Sequence, residues 1–256
     1  MLEPRKRYRF LGVPVDGLTL SETLDLARNA IVKRHRLQHV VVNVAKVVTA
    51  RNDPLLRNDI ESSDLINVDG MGVLWGCRLL GIPIPERVTG IDLMFALFAL
   101  SASEGFRPFI LGAKEEILRA AVEKLRRHHP SLQLAGFRNG YFSESEESDV
   151  VEQIRKSKAD LLFIGMPTPR KERFLHRHRD ELEVPFLMGV GGSIDVVAGL
   201  VSRAPALVQK IGLEWAYRVL QEPRRLWRRY FFTNLNYAGL LLRALTIKWL
   251  LRAEIT

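Results

Sequence analysis

Six short apolar runs, each set off from the next by a stretch of helical periodicity, constrain this chain more than any other feature. They lie at 39–44, 65–68, 108–111, 132–135, 160–164 and 185–188. Helical spacing is read over 20–34, 46–60, 71–80, 91–103, 114–128, 146–157 and 170–181. Strands that alternate with helices build βαβ units and hence a parallel sheet. The runs are continuously apolar, as strands are when helices cover both faces of their sheet. The expected body is therefore α/β, a mostly parallel sheet with helices on both sides.

Glycines stand at the ends of four runs: Gly70, Gly112, Gly165 and Gly189. The carboxyl ends of such strands are where a Rossmann-like sheet takes its ligand. The pattern stops near Gly199–Pro205, and no further strand is evident. Residues 1–202 are read as an α/β catalytic domain and 203–256 as a basic, amphipathic helical appendage. The appendage holds ten Lys and Arg against three Glu, so it carries most of the formal net charge of +9. Such an end meets an anionic partner: lipid headgroups, nucleic acid or a pyrophosphate. Leu207, Ile211 and Trp215 recur at i, i+4 and i+8, and Trp227 and Phe231 at i and i+4, among Arg224, Arg225, Arg228 and Arg229. That mixture describes helices lying in a bilayer interface. A spanning helix is not expected, because the apolar stretch 235–251 is broken by Asn236, Arg243 and Lys248. The charged start of the chain lacks the apolar core of a secretory signal. The single cysteine, Cys77, fits a small core side chain and excludes an internal disulfide.

No phosphate loop, Gly-x-Gly-x-x-Gly, Gly-x-Ser-x-Gly, His-Glu-x-x-His or Asp-x-Asp occurs, and the six histidines do not stand at ligand spacing. No metal site is expected. Asp69 follows a strand and precedes a helix. It is either a turn residue capping that helix or a general base at the sheet edge. Arg87, stiffened by Pro83 and Pro85, is either a surface residue or a fixed cation for a phosphate. In Gly189-Val190-Gly191-Gly192-Ser193-Ile194-Asp195, the glycines either pack a tight turn or offer backbone N–H groups to an anion, and Asp195 either caps a helix or takes a ribose hydroxyl.

Taken together, these stretches resemble the WecG/TagA/CpsF glycosyltransferases over nearly the whole chain. The resemblance rests on Asn43, Val68-Asp69-Gly70-Met71-Gly72-Val73, Glu86-Arg87-Val88-Thr89-Gly90, Gly140-Tyr141-Phe142, Gly189-Val190-Gly191-Gly192, Arg203-Ala204-Pro205 and Gly212-Leu213-Glu214-Trp215. It implies an inverting, metal-independent enzyme without a cofactor. Such an enzyme moves N-acetylmannosamine, its uronic acid or glucose from a UDP-sugar to a polyprenyl-diphosphate-linked saccharide. It implies a cytoplasmic protein, peripheral on the inner face of the membrane. It maps the base to Asp69, a phosphate-handling cation to Arg87, the substrate pocket to Asn43, and nucleotide contacts to Tyr141 and Asp195, with Gly191 and Gly192 kept as substrate-binding candidates from their turn. It adds Arg218, Arg225 and Arg228 from the appendage, the last two on one face of a helix beginning after Pro223. Two positions depart from the family pattern: Val41 stands for a Thr and Lys171 for a Gln. Both alter the expected sugar pocket. A homo-oligomer is compatible with the sequence. The rival class is a basic nucleic-acid-binding α/β protein, which the charge favours and the missing recognition motifs do not.

Overall fold

The computed structural model of the protein describes residues 6–253, apart from the side chains of residue 225 and residues 251–253. A hairpin, β1 (Arg7–Phe10) and β2 (Val13–Asp16), opens it. The body continues with α1 (Leu20–Val32), β3 (Leu37–Val42), α2 (Val44–Asn52), α3 (Pro54–Glu61), β4 (Leu65–Val68), α4 (Met71–Leu79), α5 (Gly90–Glu104) and β5 (Pro108–Gly112). Then come α6 (Glu115–His128), β6 (Gly136–Arg138), α7 (Glu147–Ser157), β7 (Leu161–Gly165), α8 (Arg170–His178), β8 (Phe186–Gly189) and α9 (Ser193–Ala198). The chain then runs through α10 (Ala206–Lys210), α11 (Glu214–Gln221) and α12 (Pro223–Ala253).

Strands β3 to β8 form one sheet in the order β4-β3-β8-β7-β5-β6. Every ladder in it is parallel, giving the expected Rossmann-like α/β layering. Alternate strand residues enter opposite cores. Leu37, Ile110, Leu161, Phe163 and Met188 pack with α1, α5, α6 and α9 on one face. On the other face, Val40, Val42 and Ile66 pack with α2 and α4, and Leu111, Leu162 and Leu187 with α7 and α8. Burying a side chain of this size contributes roughly 1.5–3 kcal/mol, so neither face can turn to water. The expected helix over 46–60 is two helices, because Asp53 caps α3 and Pro54 occupies its first turn.

The expected strand at 132–135 is a correction: those residues form no strand, and the ladder to β5 runs through Gly136, Phe137 and Arg138. The stripe Leu207–Ile211–Trp215 is a second correction. Gly212, at φ +73°, ends α10 before α11 begins, so these side chains do not share one helix.

The helical end packs on the body. Tyr237 of α12 is buried, donates from Oη to the Gly72 carbonyl at 2.7 Å, and lies 6.3 Å from the Phe10 ring. Gly76 of α4 faces that contact: a Cβ there would overlap Tyr237 Oη and lie 2.7 Å from Phe10 Cζ. Gly76→Ala is therefore expected to destabilise the full chain by about 1–3 kcal/mol through overpacking, despite alanine's better helix propensity. Urea unfolding checks this, and an unchanged or higher midpoint would show that α12 packs loosely there.

Candidate active site

The parallel register brings the ends of β3 and β4 side by side. Val42 pairs with Val68, so Asn43 and Asp69 are the next residues of adjacent strands. The Asp69 N–H extends the ladder by donating to the Val42 carbonyl at 2.8 Å. The helix that follows is capped at Gly70, at φ 98° and ψ 136°, with no side-chain cap bond. Asp69 is thus not spent on capping α4. It is half-buried. Burial pushes its carboxyl up to about 6, reinforced by the Glu214 carboxylate and opposed by Arg87, Arg218 and Lys46.

Those charges come from three other elements. Arg87 lies in the loop before α5, and its Nη1 pairs with Glu214 Oε2 at 3.3 Å, with only 14% and 19% of the two side chains exposed. Glu214 stands in the first turn of α11, where the helix dipole favours an acid. Its Oε1 lies 3.8 Å from Arg218 Nη2. Arg203 grips Asp92 of α5 at two points, 2.5 and 2.7 Å, while Thr89 Oγ1 donates to the same carboxylate at 2.6 Å. The appendage is therefore fastened to the body by ion pairs on the Asp69 side of the sheet.

A second cluster lies at the ends of β3 and β8. Asn43 caps α2, its Oδ1 accepting from Lys46 N at 3.0 Å. Lys46 is buried, donates to the Val41 carbonyl at 2.7 Å and pairs with Glu172 Oε1 at 2.8 Å. Lys171 pairs with the same oxygen at 2.9 Å and donates to Thr168 Oγ1. Its alkyl stem lies across Gly189, where a Cβ would meet Cδ at 2.9 Å. Burial and the Lys46 ammonium pull Lys171 down, against Glu172. Burial raises Glu172, but the two ammonium groups outweigh it and hold that carboxyl well below its ordinary range. Two cations around one anion leave one net positive charge. The Lys171 ammonium is thus engaged inside the protein. Val41, the other departure from the family pattern, is buried, with its methyl groups 3.7 and 3.8 Å from where a Gly90 Cβ would stand.

At the turn after β8, the Val190 and Gly191 N–H groups both donate to the Ile164 carbonyl, at 2.8 and 3.2 Å. Two of the N–H groups expected to face an anion are therefore used to fasten the turn. Asp195 follows in the first turn of α9, its carboxylate at the mouth of this turn, 3.5 Å from a Cβ built on Gly192. Tyr141 is exposed on the loop after β6. Arg170 fixes that loop by donating to the Gly140 and Phe142 carbonyls at 3.2 and 2.6 Å. An open groove of about 520 Å³ runs beside it, lined by Phe142, Arg170 and Arg173 among others.

The structure thus gathers Asp69, Arg87, Asn43 and Arg218 at one end of the carboxyl edge. Lys171, Gly191, Gly192 and Asp195 stand at its middle, and Tyr141 lies toward the other end. Arg228 is exposed on α12 with its guanidinium 5.9 Å from the Trp227 ring centroid, and it is not among the charges acting on Asp69. The Arg225 side chain lies outside the described residues. Sequence reasoning did not single out Lys46, Glu172, Arg203 or Glu214 as site residues. The only local signals were the i, i+4 pair Glu214–Arg218 and the N-cap spacing Asn43–Lys46. Among the described residues, no group of three His, Cys, Asp or Glu stands together as a metal site would require. No helix of the described residues is long and apolar enough to cross a membrane.

Comparison with known proteins adds two findings. The profile of the Glycosyl transferase WecG/TagA/CpsF family matches residues 8–250. A Bacillus spizizenii N-acetylglucosaminyldiphosphoundecaprenol N-acetyl-beta-D-mannosaminyltransferase is 34% identical over 180 residues, 70% of this chain and 69% of that protein. A Staphylococcus aureus protein of the same description is 31% identical over 220 residues, 85% of this chain and 86% of that protein.

Proposed function

This chain belongs to the WecG/TagA/CpsF glycosyltransferase family, and from that membership we propose an inverting, metal-independent transferase. It moves a sugar from a UDP-sugar to a polyprenyl-diphosphate-linked saccharide during cell-surface polysaccharide synthesis. The relatives' names point to an N-acetylmannosamine donor and an N-acetylglucosaminyl-diphosphate lipid acceptor. The uronic acid of that sugar and glucose are the other donors to test. One observation carries the mechanism. Asp69, a strand-end carboxylate not used as a cap, sits half-buried in a field of fixed charges with its carboxyl raised to about 6.

Asp69 takes the proton of the acceptor hydroxyl, and that oxygen attacks the anomeric carbon from the face opposite UDP. The bond to the diphosphate breaks as the new glycosidic bond forms, inverting the centre. Negative charge grows on the leaving diphosphate. Arg87 and Arg218 stabilise it as preorganised cations, with Arg225 and Arg228 brought in when the appendage meets the membrane. Asn43 and Lys171 border the sugar, and Tyr141, Gly191, Gly192 and Asp195 border the nucleotide. Residues 1–202 form the catalytic domain. Residues 203–256 hold it on the inner face of the cell membrane, with their charge against anionic lipid.

UDP release across a panel of UDP-sugars, with a lipid-diphosphate-linked N-acetylglucosamine acceptor, tests the reading. Release should depend on both substrates, and excess EDTA should leave the rate unchanged. Loss of activity in EDTA, restored by Mg²⁺ or Mn²⁺, would remove the metal-independent mechanism. Absence of release with every donor would remove the proposed reaction.

A further inference from the structure

We propose that Glu214 is a positioning residue for sugar transfer, holding Arg87 and Arg218 in one cluster and tying the helical appendage to the proton acceptor Asp69. The proposal rests on Asp69 being the base, and it goes beyond that reading by giving a carboxylate of the appendage a part in the reaction.

The charges around Asp69 are unbalanced without Glu214. Arg87 faces it from the loop before α5, Lys46 from α2, Arg218 from α11, and Arg203 from the segment before α10. Lys46 and Arg203 have carboxylates of their own, Glu172 at 2.8 Å and Asp92 at 2.5 Å, so without Glu214 it is Arg87 and Arg218 that would turn to Asp69 and hold it ionised, leaving a weak proton acceptor. Among the described residues, Glu214 is the acidic group whose charge acts most strongly on Asp69. By taking Arg87 at 3.3 Å and standing 3.8 Å from Arg218, it draws two guanidinium groups toward itself. Arg87 is largely buried, so its partner is screened less than a surface ion pair. Arg87 is thus fixed only while α11 is docked, and the appendage supplies the group that fixes it. A bland reading also exists: an acid in the first turn of a helix is favoured by the dipole alone. That role would leave the pH dependence of catalysis unchanged.

The test is the pH profile of kcat/KM for the full-length enzyme, Glu214→Gln, Glu214→Asp and Asp69→Asn, with the same donor and lipid-linked acceptor. Glutamine keeps the shape and an acceptor for Arg87 but removes the charge. In Glu214→Gln the acid limb, near 6 in the parent enzyme, should move about one pH unit lower, because a like charge has been taken from the base. Its kcat at pH 7.5 should fall about tenfold as the base weakens. In Glu214→Asp the limb should move the same way by a smaller step. Should the Gln variant not fold, as judged by urea unfolding, the Asp variant carries the test. A limb that stays in place, whether turnover is unchanged or lowered equally at every pH, overturns the proposal. Asp69→Asn separates the two readings. If it keeps parental turnover, the base assignment fails. If it is inactive while the limb of the Glu214 variants stays in place, only the present inference fails.

Discussion

Asp69→Asn is expected to lower turnover by about 10²–10⁴-fold, the usual worth of a general base, with little change in UDP affinity. The amide has the shape of the carboxylate, and α4 does not depend on Asp69 for its cap, so the fold should persist. What is lost is a group able to accept the acceptor's proton. In the parent enzyme that group works only when ionised. Burial raises its proton affinity, so it is protonated below about pH 6 and ionised above. The rate should therefore rise with pH through that region and level off above it, and in Asp69→Asn this limb should vanish. Steady-state transfer to a lipid-linked acceptor gives the first quantity and titration calorimetry with UDP the second. Near-parental turnover in the variant would remove Asp69 from the mechanism.

The role of Asp69 as base came from the family resemblance, but its place, between the end of β4 and the start of α4, was legible in the sequence because local periodicity reports both elements. The same holds for β3, β4, β5, β7 and β8, whose apolar runs are continuous because both faces are covered. The N-terminal hairpin was not legible. In β1, arginines alternate with the aromatic residues Tyr8 and Phe10, and the charge hides the pattern. Arg7 is there because it pairs with the fully buried Asp16 at 2.7 Å, a partnership no local rule announces. The last strand was misplaced for a different reason. Leu132 is a buried residue of the connection into β6, while the strand itself is a three-residue edge of intermediate burial. At the site, Glu214 and Lys46 escaped notice because the ion pairs that join them to the body, with Arg87 and Glu172, are made across the chain, 127 residues apart for Arg87 and Glu214. Such pairs exist only once the sheet has set the strand order, so composition and spacing carry no trace of them.

A chain ending at Arg203 is expected to transfer sugar to a lipid-linked acceptor at least 10²–10³-fold more slowly, for two separable reasons. The first is chemical. Arg218 leaves with the appendage and Arg87 loses Glu214, and removing charge stabilisation from a reacting group commonly costs about that factor. The second is placement. Trp227, Phe231 and Phe232 are exposed on α12 beside Arg224, Arg228 and Arg229, a surface suited to a bilayer interface. Truncation also removes Tyr237 and Leu241 from the apolar cluster they share with Phe10, Val47, Val73 and Leu74. A shorter chain is thus expected to be less stable, and its inactivity alone would not separate placement from folding. A full-length double variant, Arg224→Gln with Arg229→Gln, does separate them, because both side chains point to solvent and neither fastens α12 to the body. Each Arg near an anionic surface contributes about 1 kcal/mol, so losing two should weaken vesicle binding about 30-fold, at roughly tenfold per 1.4 kcal/mol. High salt should release the parent protein in the same way. Transfer to a short, water-soluble acceptor should survive in this variant, while transfer to the lipid-linked one falls with membrane binding. If the parent protein ignores anionic vesicles and the truncated chain keeps full activity on a lipid-linked acceptor, the helical end only completes the fold, and neither Arg218 nor the membrane surface takes part in transfer.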